Sequence, residues 1–442
     1  MKHTLYLLFC LLAFNIHAQI ITTVAGCGSS GYNGDNIPAL HAFLVGPIGN
    51  ALDKYGNLYI SDVGRVRKIS PAVGGVITTI AGDGTYGNSG DNGPATAAKL
   101  KNVYGVATDA IGNVYIVDVD ATKIKKVDTN GIITTFAGNG TGIYVGDGVP
   151  ATTTGIPWLC AMAIDKWGNA FITGKNVIWK VDTAGIITTV AGTGVGGYNG
   201  DGIAATAAEL NLPSGVAIDT SDNIYITDAL NLRVRKVAAI DGTISTIAGT
   251  GILGNSGDNG PATAAKFIRP YAITLDNNGN IYVGDIYGFV IRKIDQWGII
   301  SSYAGNDTDG FSGDNGPATN AEMGQVFGLT ANKAGDLFIS DSYYSRIIYV
   351  KNTLEVKEIN IVINKIDIYP NPCKNKLIVN INALNDSYAT IRIFDLIGVK
   401  VKELIIKTNQ QAEIILNEPE GIYILEAIIN EKIYHKEFMI IK

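Results

Sequence analysis

Histidine is nearly missing from this chain. Four occur in 442 residues, and after the first eighteen residues only His41 and His435 remain. That excludes a metal centre built from several imidazoles and leaves any serine or cysteine nucleophile without its usual base. Glutamate is almost as scarce: between 19 and 351 there are only Glu209 and Glu322, so paired carboxylates for acid–base work would have to be aspartates. Cysteine is sparse too. Cys10 lies in an N-terminal apolar run, and Cys27, Cys160 and Cys373 are an odd set that does not make a disulfide framework. They are expected as free or buried thiols. Charged residues make up only 17% of the chain and the net charge is −6, so there is no basic patch and nucleic acid is not an expected partner. No apolar run reaches the roughly 20 residues that a membrane helix needs. The longest early run, LYLLFCLLAF at 5–14, follows Lys2 and precedes the small Ala18. It reads as a secretory signal over 1–18, with a cut before Gln19.

Glycine, by contrast, is abundant, with 53 copies. It suits many short strands joined by tight turns, because glycine takes positive φ at no steric cost. Six of these glycines close an Ala-Gly pair, at Gly26, Gly82, Gly138, Gly192, Gly249 and Gly305, spaced by 56, 56, 54, 57 and 56 residues. Each follows a strand-like run such as ITTVAG or ITTIAG. A unit carries four such signals: PIGNALD (47–53), GNLYISD (56–62), RVRKI (65–69) and the ITT run. Alternating apolar and polar residues over four to six positions indicate strands. The turn Asp53 to Asn57 has a mechanism: the aspartate bonds amides further along and the glycine is left-handed. Unit four replaces that glycine with Asp222, which also tolerates that region. The connection between units, fullest as GDNGPATAAKL (90–100), reads as a polar turn and a short exposed helix bearing Lys99, Glu209 and Glu322 at equivalent positions.

The last unit ends at IIYV (347–350) with no ITT run after it. The missing strand is at 21–26, at the other end of the chain. A repeat split in this way is what a closed ring requires, since the first strand then pairs with the last unit and removes two open edges. The fold class expected is all-β: a six-bladed β-propeller over 20–351 closed by its N-terminal strand, then a small Ig-like β-sandwich. The repeated D-x-x-G-N-x-Y-I-x-D stretch, the V-R-K strand and the ITT-x-AG run with its GDNGPA connection resemble the NHL repeats of teneurin-like propellers. The resemblance implies fold rather than activity, because such propellers host binding proteins, lyases and lactonases. Lyase and lactonase relatives use a channel His set or a Glu, Asn and Asp set around a metal, and this ring supplies neither histidines nor a channel glutamate.

After a linker (352–365), residues 366–442 change character: glycine thins out and strands alternate, as in ATIRIFDLIGVKVKEL (389–404). Tyr369, Pro370, Asn371 and Pro372, the Phe394-Asp395 to Gly398 turn, Gly421-Ile422-Tyr423 and the stretch ending at Lys442 resemble the type A sorting domain of Bacteroidetes cargo for the type IX secretion system. That resemblance implies the type IX machinery as partner. The route leads through the periplasm to the outer cell surface or to release.

Positions repeated six times serve the blades, so function is expected where the units differ. Tyr32, Tyr144, Tyr198 and Phe311 precede Gly-Asp where the other units have Asn88 and Asn255, and Trp158 and Trp179 mark the most divergent unit. These are the candidate ligand-binding residues, with core filling as the alternative. Asp62, Asp118, Asp228, Asp285 and Asp341 end the second strands and are expected as an acidic rim at the channel mouth, unless each pairs with the arginine or lysine of its own blade. Calcium would be the metal suited to such a rim, with no cofactor otherwise expected. The reading is a non-catalytic exported module that binds a glycan or protein. The alternatives are a calcium-dependent lyase or lactonase-like hydrolase, and a structural surface-layer spacer.

Overall fold

The computed structural model describes residues 19–352, 363–383, 388–396, 398–429 and 432–442. The expected signal at 1–18 and most of the expected linker lie outside the described residues. The described chain falls into two compact units, divided near Thr353.

The first unit is a ring of six antiparallel sheets. In the first blade the inner strand Asn50–Leu52 pairs with Leu58–Asp62, which pairs with Arg65–Ser70, which pairs with Val76–Ala81. A fifth strand of two residues, Ile37–Pro38, covers the outer edge. The sequence pattern showed four strands per blade; this fifth is too short to leave a periodicity. The second strand is buried at every residue in all six blades, because both of its faces meet neighbouring blades.

Closure is made by Ile20–Ala25, which pairs antiparallel with Arg346–Lys351. Its other edge is held as well: the Ile21 amide donates to the Gly316 carbonyl and the Asn315 amide donates to the Ile21 carbonyl. Its register slips between Thr23 and Ala25, as the outer strand of the second blade does against Ile124 and Lys125. The displaced strand thus carries the same bulge as its in-line counterparts, which identifies it as the sixth blade's outer strand.

The Ala-Gly glycines follow from this geometry. Gly26, Gly82 and Gly138 have φ of 83°, 84° and 85°, and a Cβ on any of them would overlap a backbone carbonyl of the third strand's entry turn. Their amides donate to the carbonyls of Ala39, Ala95 and Ala151, the buried first residues of the turns that follow Pro38, Pro94 and Pro150. The first two of those turns are single 3-10 turns, Ala39–His41 and Ala95–Ala97, without a side-chain cap. The expected short helix is thus no more than a single turn, and Lys99 and Glu322, expected on it, follow it in extended bridges to Ser89 and Ser312. The Asp-x-x-Gly-Asn turn forms as expected: Asp53 accepts from the amides of Tyr55 and Asn57, from the Asn57 side chain and from the Tyr59 hydroxyl. In the sixth blade the two residue types trade places, with Asn332 at the aspartate position and Asp336 at the asparagine position, and the turn still closes.

The second unit is a sandwich of a three-stranded and a four-stranded sheet, with a core of Leu377, Val379, Ile391, Ile393, Leu425, Ala427 and Phe438. The Tyr369-Pro370-Asn371-Pro372 stretch ties down the terminal strand. Asn371 accepts from the Met439 amide at 2.9 Å and donates to the Glu437 carbonyl, while Cys373 and Met439 bond through their backbones. Gly398 turns at φ 84°, Gly421 opens the strand Gly421–Ile429, the Tyr423 hydroxyl donates to the Pro419 carbonyl, and the Lys442 amide donates to Glu420.

Candidate functional site

In five of the six blades the third strand places one long cationic side chain, Arg67, Lys125, Arg235, Arg292 or Arg346, in the blade interior, where all five are buried. Three of them, Arg67, Arg235 and Arg346, each contact two aspartates. Arg67 meets Asp62 at 3.5 Å and Asp35 at 3.0 Å. Arg235 meets Asp228 at 3.3 Å and Asp201 at 2.9 Å, and Arg346 meets Asp341 at 2.9 Å and Asp314 at 3.6 Å. Lys125 and Arg292 bond the Gly-Asp partners Asp91 and Asp258. The repeated Gly-Asp therefore fastens the long connection onto a buried cation.

This corrects the expectation of an acidic rim. Asp62, Asp118, Asp228, Asp285 and Asp341 are buried, none more than 2% exposed. Their carboxylates are spent on backbone amides of the incoming connection, such as Val45, Asn102, Asn211, Arg269 and Gly324. Burial pushes Asp62 and Asp228 up to about 6, against the pull of those amides and the arginines. Asp285 and Asp341 rise for the same reason. They are structural groups, and the in-blade pairing with arginine holds for Asp62, Asp228 and Asp341.

The third blade has exchanged this charge set for an aromatic one. Trp179 stands where the arginine stands elsewhere and is 2% exposed; a Cβ on Gly174, at the aspartate position, would overlap its ring. Tyr144 packs on Trp179 with centroids 5.1 Å apart and donates its hydroxyl to Asp147. Trp179 is thus core filling and not a ligand contact, a second correction. Tyr32, Tyr198 and Phe311 lie under the guanidinium groups of Arg65, Arg233 and Arg346, with ring centroids 4.0, 3.9 and 3.9 Å away. They are half covered by their own blades. Only Trp158 among the candidates projects freely, at 68% exposure.

The long connections and the turns between second and third strands share one face of the ring. Backbone bonds link the two, as from the Val119 amide to Asn102 and from Ile286 to Arg269. Tyr86, Tyr287 and Tyr343 are also exposed on this face. On the opposite face lie Tyr55, Trp167 and Trp297, in the other turns.

The channel is stacked in tiers. Gly49, Gly105, Ala161, Gly215, Ala272 and Gly328 form one tier, where the inner strands approach so closely that a Cβ on Gly215 would lie 2.6 Å from the Tyr271 carbonyl. One residue towards the connection face, Ile48, Tyr104, Cys160, Ser214, Tyr271 and Phe327 surround a cavity of about 80 Å³. The Cys160 thiol lies 3.1 Å from the Tyr271 hydroxyl, and Tyr271 packs edge-on to Phe327. No carboxylate and no imidazole lines the cavity. Two residues further out, the mouth is ringed by Gly46, Asn102, Trp158, Leu212, Arg269 and Gln325, six different residue types in one repeat position. Sequence reasoning found Trp158 but missed the rest of this ring, although the spacing from each Gly/Ala tier residue would have exposed it.

Comparison with known proteins agrees with the two units. Residues 84–144 match the Teneurin NHL domain family, and residues 367–442 match the Secretion system C-terminal sorting domain family. Teneurin-4 of Mus musculus is 28% identical over an alignment of 229 residues that covers 46% of this chain and 8% of that protein; the chain thus spans under a tenth of the teneurin's length. Among solved structures, a Bacteroides thetaiotaomicron protein of unknown function superposes with a TM-score of 0.56 at 19% identity, covering 75% of this chain and 76% of its own. An auxiliary nutrient binding protein of the same organism gives 0.55 at 14% identity, covering 75% and 76%. The chain is thus an all-β protein, a six-bladed propeller that carries a stretch similar to the Teneurin NHL domain, with a C-terminal unit similar to the sorting-domain family. The sorting domain directs it through type IX secretion, to the cell surface or beyond. Among the described residues, no helix is long and apolar enough to cross a membrane.

Proposed function

We propose that the exported ring is a non-catalytic binding module and that its ligand, a glycan or a protein, is held on the face that carries the long connections and the channel mouth. The observation that carries this reading is the channel itself. A cavity of about 80 Å³ has room for a few waters at about 30 Å³ each, against the several hundred Å³ of ordinary ligand pockets. Its lining supplies no acid–base pair, and among the described residues no cluster of three or more His, Cys, Asp or Glu is placed to hold a metal. The mouth above it is varied in residue type and carries the exposed Trp158, and Tyr287 is exposed on the same face. Rings of that kind stack on sugars or anchor a protein partner. The auxiliary nutrient binding protein noted above shares the fold.

The test is a screen of the exported protein on glycan and surface-protein arrays, together with calorimetric titration with calcium. Saturable binding that Trp158→Ala weakens supports the reading. Blank arrays would favour a surface-layer spacer. Micromolar calcium binding accompanied by lactone turnover would favour the hydrolase.

A further inference from the structure

Of the arginines at or inside the connection face, Arg269 stands apart. Arg67, Arg235, Arg292 and Arg346 are each tied to carboxylates. Arg65 and Arg233 donate to backbone carbonyls. Among the described residues the Arg269 guanidinium has no acceptor at all; its Nε is buried without a partner, as are those of Arg67, Arg235 and Arg292, but those three have bonds at their other nitrogens. Its neighbours are the face of Tyr287, 5.5 Å to the centroid, and the Cys160 and Tyr271 pair in the cavity below. Asp285, the nearest aspartate on its own blade, already accepts from the amides of Ile268 and Arg269.

The surroundings favour an anion. The Cys160 thiol is held neutral, because burial raises it more than the Tyr271 hydroxyl and the Arg269 charge lower it. The Tyr271 phenol is likewise raised, by burial first and then by Cys160, so it stays a donor. A fixed cation, neutral O–H and S–H groups and no lining carboxylate make a positive spot in a chain of net charge −6. An arginine fork presents two parallel N–H groups that match a carboxylate. The ring above it places Trp158 on the same mouth, at 68% exposure with φ 55°. That backbone conformation is costly for a bulky residue, and the indole it carries stays exposed. A charged fork flanked by open aromatic rings suits a sugar that carries a carboxylate.

Resting on the binding-module reading, we propose that the channel mouth recognises acidic glycans, with Arg269 pairing to a uronate carboxylate and Trp158 and Tyr287 stacking against the sugar rings. The experiment is calorimetric titration of the exported protein with an oligogalacturonate of a few residues, with its methyl-esterified form and with a peptide bearing a free C-terminal carboxylate. The proposal expects saturable binding of the oligogalacturonate, at least tenfold weaker binding of the ester, and at least tenfold loss in both Arg269→Gln and Trp158→Ala. Lys54→Gln, on the opposite face, leaves binding unchanged. Thermal melts of each variant show that the ring still folds; if Arg269→Gln unfolds the ring, Arg269→Lys, which keeps the charge but not the fork, must show the loss instead. Equal binding of acid and ester, or wild-type affinity in Arg269→Gln, overturns the proposal. So does binding of the peptide alone. If neutral glycans bind and uronates do not, the acidic-glycan assignment fails while the binding-module reading stands; if nothing binds on any array, both fail.

Discussion

Replacing Arg67 with methionine should be among the most damaging single changes in the first blade. The side chain is fully buried and Asp62 beside it is 2% exposed, so the substitution strands a carboxylate in the blade interior. Removing one member of a buried ion pair costs about 3–5 kcal/mol. With about 2.1 cal/mol/K of unfolding entropy per residue, a ring of this size should melt about 4–7 °C lower. The loss should shrink below pH 5, because Asp62, already raised to about 6 by burial, takes up a proton more readily once its partner is gone. The third blade shows how to repair the damage. The step from the end of the second strand to the buried position is the same in the two blades, Asp62 to Arg67 and Gly174 to Trp179, and Tyr32 stands where Tyr144 packs on the tryptophan. The double variant Asp62→Gly with Arg67→Trp should therefore be more stable than Arg67→Trp alone, with coupling of about 1–3 kcal/mol. Urea denaturation of the wild type, the singles and the double measures this. A cost under 1 kcal/mol for Arg67→Met, or no coupling in the double, would refute the account of charge and aromatic sets as alternative fillings of one space.

Further outcomes follow from the same geometry. Gly138→Val should cost more than 2 kcal/mol, because φ of 85° and the Thr122 carbonyl both oppose a side chain; a melt within 1 °C of wild type would contradict it. Ring stability should peak in mild acid. Asp62 and Asp228, folded near 6, favour the folded state below about pH 4 and lose that contribution as pH rises through 6. Asp53, Asp109 and Asp219 act oppositely: burial raises them, but bonds from Asn57, Asn113 and Asn223 outweigh it and hold them below the ordinary range. Their stabilisation is lost as pH falls below about 4. Stability that climbs from pH 5 to pH 7 in a urea series would be inconsistent with this balance. Asn371→Ala should loosen the terminal strand by about 1–2 kcal/mol, seen as faster amide exchange at Met439. Deleting 366–442 should leave the protein in the periplasm, read by fractionation; undiminished surface display would oppose the sorting role.

The ring and its closure were legible because glycine and aspartate are demanded by local geometry that repeats six times. Ala-Gly reports a left-handed residue pressed against a carbonyl, and Asp53 to Asn57 reports a turn that closes on its own side chain. The fate of the second-strand aspartates was legible only in part: pairing with the arginine of the same blade was the stated alternative to a rim and holds for Asp62, Asp228 and Asp341, but their bonds to the amides of the incoming connection were not foreseen. Alternation assigns a polar residue at a strand end to solvent, and only the packed neighbours show that Asp228 lies inside, bonded to Asn211 and Arg235. The mouth ring was hidden for the opposite reason: Gly46, Asn102, Trp158, Leu212, Arg269 and Gln325 share a place and no chemistry. In the tail, Asn371 carried a motif whose purpose, bonding the Met439 amide from 68 residues away, is visible only in three dimensions.

The central claim is that the first strand completes the last blade. Hydrogen exchange of the exported protein tests it without altering the chain. The account predicts that amides bonded between Ile20–Ala25 and Arg346–Lys351 are protected to the same degree as those between Lys123–Val127 and Ile132–Ala137. Exchange of the first set at the rate of free chain, while the second set stays protected, would contradict it.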